Sequence, residues 1–160
     1  MRNDFRAVLY YFGNRPISLY SLILLILQFA GIAALAATSK PIPTSIAGNC
    51  FFWGGMIIGL WAVFEMRRSK LRIQPEVAAE AVLVTSGPYR FIRNPMYFAV
   101  LVITLAWWIE RPAIWRLSLW LGLAIILILK LTYEEKLLAE AFVDYRLYAN
   151  RTKRLVPYIW

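Results

Sequence analysis

The stretch PMYFAVLVITLAWWIERPAIWRLSLWLGLAIILILKL, residues 95–131, decides the fold of this chain. It holds two apolar runs, at residues 95–109 and 114–131, and the polar turn Glu110-Arg111-Pro112 separates them. Apolar runs of this kind approach the roughly 20 residues that an α-helix needs to cross a bilayer. The stretch therefore predicts a membrane-embedded helical hairpin. Its first helix would be only about 22–24 Å long, which requires local thinning of the bilayer or a neighbouring cavity.

The composition extends this interpretation to the whole chain. Of its 160 residues, 61% are hydrophobic and 17% are charged, whereas soluble domains are about 45–50% apolar. Two further apolar runs, at residues 17–37 and 45–64, precede the hairpin, and the prolines of Lys40-Pro41-Ile42-Pro43 separate them. The sequence predicts an all-α integral membrane protein with about four transmembrane helices. A pair of glycines, Gly55 and Gly59, has the spacing of close helix packing and is given no chemistry.

The basic residues lie between and beside the apolar runs. The formal net charge is +9, and most lysines and arginines lie in the N-terminal segment, in residues 65–93 and after Leu131. Because such residues are retained on the cytoplasmic side of a membrane, we expect both termini in the cytoplasm, in a multi-pass protein of a bacterial cytoplasmic membrane. No nucleic-acid partner is expected. After Leu131 the helical period continues through a predicted amphipathic cytoplasmic extension, at Glu134, Leu138, Ala141, Phe142, Tyr145 and Tyr148.

Several classes of site are excluded by residue counts alone. The chain has no histidine, so catalytic triads and zinc sites that depend on histidine cannot form. Its one cysteine, Cys50, excludes an intramolecular disulfide and a cysteine metal cluster. No metal site is predicted.

The segment before the hairpin gathers polar and aromatic residues that each have an ordinary structural explanation. Asn94 and Pro95 suit the N-cap and the first position of a helix. Arg90 and Arg93 could anchor the chain near lipid phosphates. The tyrosines of this segment, Tyr89 and Tyr97, could be interfacial aromatic residues.

The adjacent carboxylates Glu134 and Glu135 are harder to explain by structure alone. Lys130, four residues earlier, offers Glu134 a helix-surface ion pair. That pair leaves Glu135 without a structural partner, and ionisable groups at the end of a membrane helix are by default candidates for a site. Arginine binds carboxylate, glutamate binds ammonium, and tyrosine faces attract a sulfonium cation. S-adenosylmethionine carries all three groups.

Four parts of the chain carry a resemblance to a known family. LVTSGPYRFIRNPMY, followed by the hairpin, YEEKLLAEAFVDYRLY and RLVP, resembles the isoprenylcysteine carboxyl methyltransferase and phospholipid methyltransferase superfamily of integral membrane enzymes over about residues 83–157. The resemblance implies methyl transfer from S-adenosylmethionine to a lipophilic or small carboxylate, thiol or amine acceptor. It implies catalytic roles for Arg93, Asn94 and Glu135, and a cofactor site made by Tyr89, Arg90, Arg93, Asn94, Pro95, Tyr97, Glu134, Glu135, Tyr145, Tyr148 and Arg154.

One residue departs from the family pattern. Asn94 stands where the isoprenylcysteine enzymes carry histidine, and an amide side chain carries no proton at neutral pH. An acceptor that is already an anion would need no general base. An amine acceptor would have only carboxylates and tyrosines to take its proton.

The resemblance also suggests how the chain is divided. We expect one membrane-embedded methyltransferase-like domain over residues 1–160, with a first helical pair at residues 1–66 and a cofactor-binding hairpin and tail at residues 83–157. Its partners would be S-adenosylmethionine, the acceptor and the bilayer. The oligomeric state stays open, as do two other functions: a non-catalytic membrane scaffold and an NADPH-dependent membrane reductase.

Overall fold

A computed structural model describes residues 18–71 and 83–159 of the chain. In these ranges the helices are α1 (Leu19–Ala37), α2 (Ile46–Leu71), α3 (Pro95–Glu110), α4 (Ile114–Ala141) and α5 (Tyr145–Arg151). A short 3₁₀-helix at Gly87–Arg90 precedes α3. The described part contains no β-strand, and a single parallel bridge joins Ile92 to Lys153. Residues 1–17, the basic N-terminal segment, lie outside the described residues, as do residues 72–82 of the basic segment 65–93.

The described helices confirm an all-α membrane protein. Three of them contain segments long and apolar enough to cross a bilayer: Leu19–Ala37, Ile46–Arg67 and Ile114–Glu140. The fourth apolar helix, Pro95–Glu110, is shorter, as the sequence predicts. Large apolar side chains on the outer faces of α1, α2 and α4 are exposed, which is what lipid contact requires.

The α3–α4 hairpin lies at the centre of the arrangement. Helix α2 packs along α3, whereas α1 packs mainly along α4. A Cβ atom on Gly55 would lie only 2.7 Å from Cγ1 of Ile103, and one on Gly59 would lie 3.2 Å from Cβ of Ala99. These glycines let α2 approach α3 closely, which confirms the packing interpretation of their spacing.

Polar contacts fasten the helices at the end of the hairpin where α3 turns into α4. The buried Arg116 donates hydrogen bonds to the carbonyl oxygens of Arg111 and Trp107 and to the hydroxyl of Ser39. Glu110 accepts hydrogen bonds from the backbone and side chain of Ser45 at the start of α2. These contacts join the α3–α4 turn to the segment between α1 and α2, although the buried Nε of Arg116 has no hydrogen-bond partner among the described residues.

Two helix boundaries differ from the expected ones. Helix α2 continues to Leu71, because Arg and Lys are good helix formers and extend the helix past its apolar part. The predicted helical extension after the fourth span is present, but it is interrupted after Ala141. The chain leaves helical geometry at Phe142, and the separate helix α5 starts at Tyr145.

Candidate functional site

Three segments meet at the other end of the hairpin. They are residues 86–94 before α3, the C-terminal part of α4, and the tail from Tyr145 onward. Backbone hydrogen bonds join the first of these segments to the tail. The N–H of Arg93 donates to the carbonyl oxygen of Lys153 at 2.8 Å, and the N–H of Lys153 donates to the carbonyl oxygen of Phe91 at 3.1 Å. The backbone N–H of Asn94 also donates a hydrogen bond to the carbonyl oxygen of Arg154, at 3.2 Å. The tail is therefore fixed against the start of α3.

A tight turn connects this site to α2. Gly87 has φ +58°, a backbone conformation that favours glycine. A Cβ atom there would lie 3.0 Å from Cγ of Glu65 and 3.1 Å from Nε1 of Trp61. The hydroxyl of Ser86 also donates to Glu65. Close approach to α2 thus fixes the direction in which the chain enters the site.

The carboxylate of Glu135 is the centre of the site. The side chain of Glu135 is 7% exposed, and it accepts from Nε of Arg93 at 2.8 Å and from Nδ2 of Asn94 at 3.1 Å. Its second oxygen lies 3.0 Å from Nε of Arg154. A buried carboxylate is stable only with such partners. The expectation that Glu135 lacks a structural partner is therefore wrong.

Arg93 and Asn94 also reach the tail with their side chains. Nη1 of Arg93 donates to the carbonyl oxygens of Ala149 at 2.9 Å and Thr152 at 2.6 Å. Nδ2 of Asn94 donates to the carbonyl oxygen of Arg154 at 3.0 Å. Asn94 occupies the N-cap position of α3, but its side chain makes no capping hydrogen bond. The predicted N-cap position is confirmed, but the side chain does not cap the helix, because its amide group is turned toward Glu135 and the tail.

Glu134 has a different environment from its neighbour. Its Oε2 accepts a hydrogen bond from the hydroxyl of Tyr97 at 2.7 Å. Within the described residues, its Oε1 accepts none. Lys130 does not pair with it: the ammonium group donates to Oε1 of Gln28 at 2.8 Å and lies 5.4 Å from the centre of the Tyr97 ring. Glu134 is therefore the carboxylate of the pair with capacity for a ligand.

Tyrosines line the tail side of the site. Tyr145 is 4% exposed, and its hydroxyl makes no hydrogen bond in the described part of the chain; the same holds for the buried hydroxyl of Tyr89. Tyr148 donates to the carbonyl oxygen of Tyr89 at 2.8 Å, and its ring meets that of Tyr145 edge-on at 6.0 Å. Burial raises the pKa of both Tyr89 and Tyr145 to about 12. At neutral pH both hydroxyls are therefore protonated donors.

Most of the expected site residues thus lie at one end of the hairpin. Arg90 differs, because its side chain is exposed, and Pro95 is buried as the first residue of α3. The sequence interpretation missed Gln28 and the carbonyl oxygens of Ala149 and Thr152. A lone amide in the otherwise apolar first span was the signal that could have identified Gln28. No local pattern marks the carbonyl groups.

Comparison with known proteins gives one match. A family model described as phospholipid methyltransferase matches residues 43–144. The match covers α2, the turn at Gly87, α3 and α4, so it includes a helix that the motif resemblance left out. It ends before α5 and Arg154. No curated protein and no solved structure matches the chain.

Proposed function

The chain belongs to the phospholipid methyltransferase family, and on this premise we propose that it transfers a methyl group from S-adenosylmethionine to an acceptor that reaches it from the bilayer. Family membership implies a membrane methyltransferase. The observation that supports the methyl donor is the cluster of carboxylates, guanidinium groups and tyrosines around Glu135 at one end of the hairpin.

The residues present fit this cofactor. Two buried hydroxyls, of Tyr89 and Tyr145, have no hydrogen-bond partner among the described residues, and buried polar groups normally have one. Oε1 of Glu134 is available for an ammonium group. The side chain of Arg154 is 37% exposed, so a carboxylate could approach it from solvent. These groups match the polar groups of S-adenosylmethionine.

We assign different roles to the two glutamates. Glu134 would bind the ammonium group of the cofactor, because its carboxylate has an oxygen to offer. Glu135 would be a positioning residue, since its carboxylate already holds Arg93, Asn94 and Arg154. Tyr97 would orient Glu134 through their hydrogen bond. The tyrosine rings of Tyr145 and Tyr148 would present their faces to a cation.

When bound, S-adenosylmethionine supplies a methyl group on a sulfonium centre. The protein would contribute position and exclusion of water, which can supply most of the rate of such a displacement. An acceptor that arrives as a carboxylate or thiolate needs no base. An amine acceptor would have only carboxylates and tyrosines to take its proton, because Asn94 cannot take one at neutral pH.

A transfer assay tests the proposed activity. The purified chain is incubated with S-adenosylmethionine carrying a labelled methyl group and with a membrane lipid extract, and label is measured in the organic phase. We expect transfer by the unmodified chain and by Glu140→Gln, an exposed position on the same helix, and loss of transfer in Glu134→Gln. Equal labelling in samples with and without the protein would exclude the activity.

We also propose that the 160 residues form one membrane-embedded unit, in a bacterial cytoplasmic membrane, with both termini in the cytoplasm. The excess of basic residues in the segments on that side supports this orientation. A reporter active only in the cytoplasm should give signal at each terminus and none at Lys40. Signal at Lys40 and none at the termini would show that the orientation is the opposite one.

A further inference from the structure

Lys130 carries a charge inside an apolar helix without a carboxylate partner. It lies in the apolar segment Ile114–Glu140 of α4, and it pairs with no Asp or Glu within residues 18–71 and 83–159. Its ammonium group instead contacts two uncharged side chains from two other helices, Gln28 of α1 and Tyr97 of α3. Charged groups in membrane helices are costly unless they are paired, and they commonly mark the path of a substrate.

The direction of this side chain is opposite to that of a lysine that reaches for the membrane surface. A Cβ atom on Gly31 would lie 3.4 Å from Cδ1 of Leu123, and α1 and α4 are antiparallel. Gln28 therefore lies near the level of Ile126, about 6 Å farther from the site end than Lys130. Lysines at helix ends normally extend toward the interface, whereas Lys130 extends inward.

Helix geometry explains this direction. Side chains on an α-helix lean toward its N-terminus, and the N-terminus of α4 is at the far end of the hairpin. Lys130 thus leans away from Glu134 and toward Gln28, which is 8% exposed. The result is a fixed cation between α1, α3 and α4, one turn from the carboxylate proposed to bind the cofactor.

We propose that Lys130, together with Gln28, binds an anionic group on the methyl acceptor. This inference rests on the proposed methyltransferase function and narrows its acceptor to amphiphiles that carry a carboxylate or a phosphate. An ammonium group in apolar surroundings binds such an anion strongly, and the amide of Gln28 can donate a second hydrogen bond. Tyr97 joins the two sites, because its ring faces Lys130 and its hydroxyl binds Glu134.

Binding of simple amphiphiles tests this site without the methyl donor. The full chain in uncharged detergent is titrated with probes that share one acyl tail and end in a carboxylate, a phosphate, an alcohol or an amine. We expect the carboxylate or the phosphate probe to bind at least about tenfold more tightly than the alcohol and the amine. The anionic probe that binds more tightly shows whether the site recognises a carboxylate or a phosphate on the acceptor.

Variants separate anion binding from helix packing. Lys130→Met should remove the preference for the anionic probes, and Lys136→Met, an exposed lysine on the same helix, should keep it. Gln28→Glu should weaken the binding of the anionic probes by a factor similar to that of Lys130→Met. The substitution gives Lys130 a carboxylate partner within the protein while keeping the contact between α1 and α4.

Two results would overturn the inference: anionic probes that bind no better than the alcohol, or an undiminished preference in Lys130→Met. Failure of the proposed methyltransferase function would be recognised by a different measurement, the binding of S-adenosylhomocysteine. A chain that binds the anionic probes through Lys130 but does not bind S-adenosylhomocysteine would have the anion site without the methyltransferase site.

Discussion

Nε of Arg93 lies 2.8 Å from Oε1 of Glu135, although the two residues are 42 positions apart in the chain. Arg93 precedes α3, and Glu135 lies near the end of α4. Their ion pair joins the two helices of the hairpin at the end opposite its turn. The same guanidinium group binds the tail through the carbonyl oxygens of Ala149 and Thr152, so one side chain fixes three segments.

Replacement of Arg93 by lysine should destabilise the protein. An ammonium group cannot reproduce the planar set of donors that binds Glu135 and two carbonyl oxygens at once. We expect the free energy of unfolding to fall by about 1–3 kcal/mol, measured as a lower thermal midpoint in detergent. Arg90→Lys, an exposed neighbour, is the control and should change little. Equal midpoints for the two variants would show that the Arg93 contacts do not stabilise the fold.

The two glutamates should respond differently to loss of charge. Glu135→Gln leaves Arg93 and Arg154 close together without a buried counter-charge, and breaking a buried ion pair costs about 3–5 kcal/mol. Glu134→Gln removes no ion pair, so its thermal midpoint without ligand should stay near that of the unmodified chain. Midpoints that shift together would contradict the separate roles assigned to the pair.

Asn94→Asp should lower the free energy of unfolding by disrupting the hydrogen bonds of the site. The new carboxylate would face Oε1 of Glu135, which now accepts a hydrogen bond from Asn94 at 3.1 Å, and it would lose the donation to the tail. The expected loss is on the order of 2 kcal/mol in the free energy of unfolding. Asn150→Asp, at an exposed position of α5, provides the matched control in the same melting experiment. A stable Asn94→Asp variant would mean that this amide is dispensable to the network.

Gly87→Ala tests the turn that leads into the site. At φ +58° an alanine is strained by roughly 1–2 kcal/mol, and its Cβ atom would also crowd Glu65 and Trp61. We expect a lower thermal midpoint than for Gly54→Ala, because a Cβ atom at Gly54 meets nothing within 4 Å and alanine favours the helix. If Gly87→Ala melts no lower than Gly54→Ala, the turn tolerates a side chain.

The positions of the helices could be predicted from the sequence because apolar runs bounded by prolines and charges are local signals. Helix α3 was expected to start at Pro95, and it does. The break at Phe142 was missed because the apolar period continues across it. The chain leaves the helix there so that Tyr145 and Arg154 can turn back toward α3, and that return depends on contacts between distant residues.

The site could be predicted only as a set of residues. Arg93 and Glu135 were both identified, but nothing local shows that they bind each other, because their contact requires the hairpin to close. The spacing of four residues suggests an ion pair between Lys130 and Glu134. That pairing has the less favourable orientation along a helix, and the lean of the side chain directs Lys130 to Gln28 instead.

The most direct test of the central claim, a site for S-adenosylmethionine at the end of the hairpin, is calorimetric titration of the purified chain with S-adenosylhomocysteine and, separately, with NADPH. We expect S-adenosylhomocysteine to bind and NADPH not to bind, with affinity for the former reduced roughly 10- to 150-fold in Glu134→Gln. Glu140→Gln should bind like the unmodified chain. Binding of NADPH alone, or of neither ligand, would contradict the account.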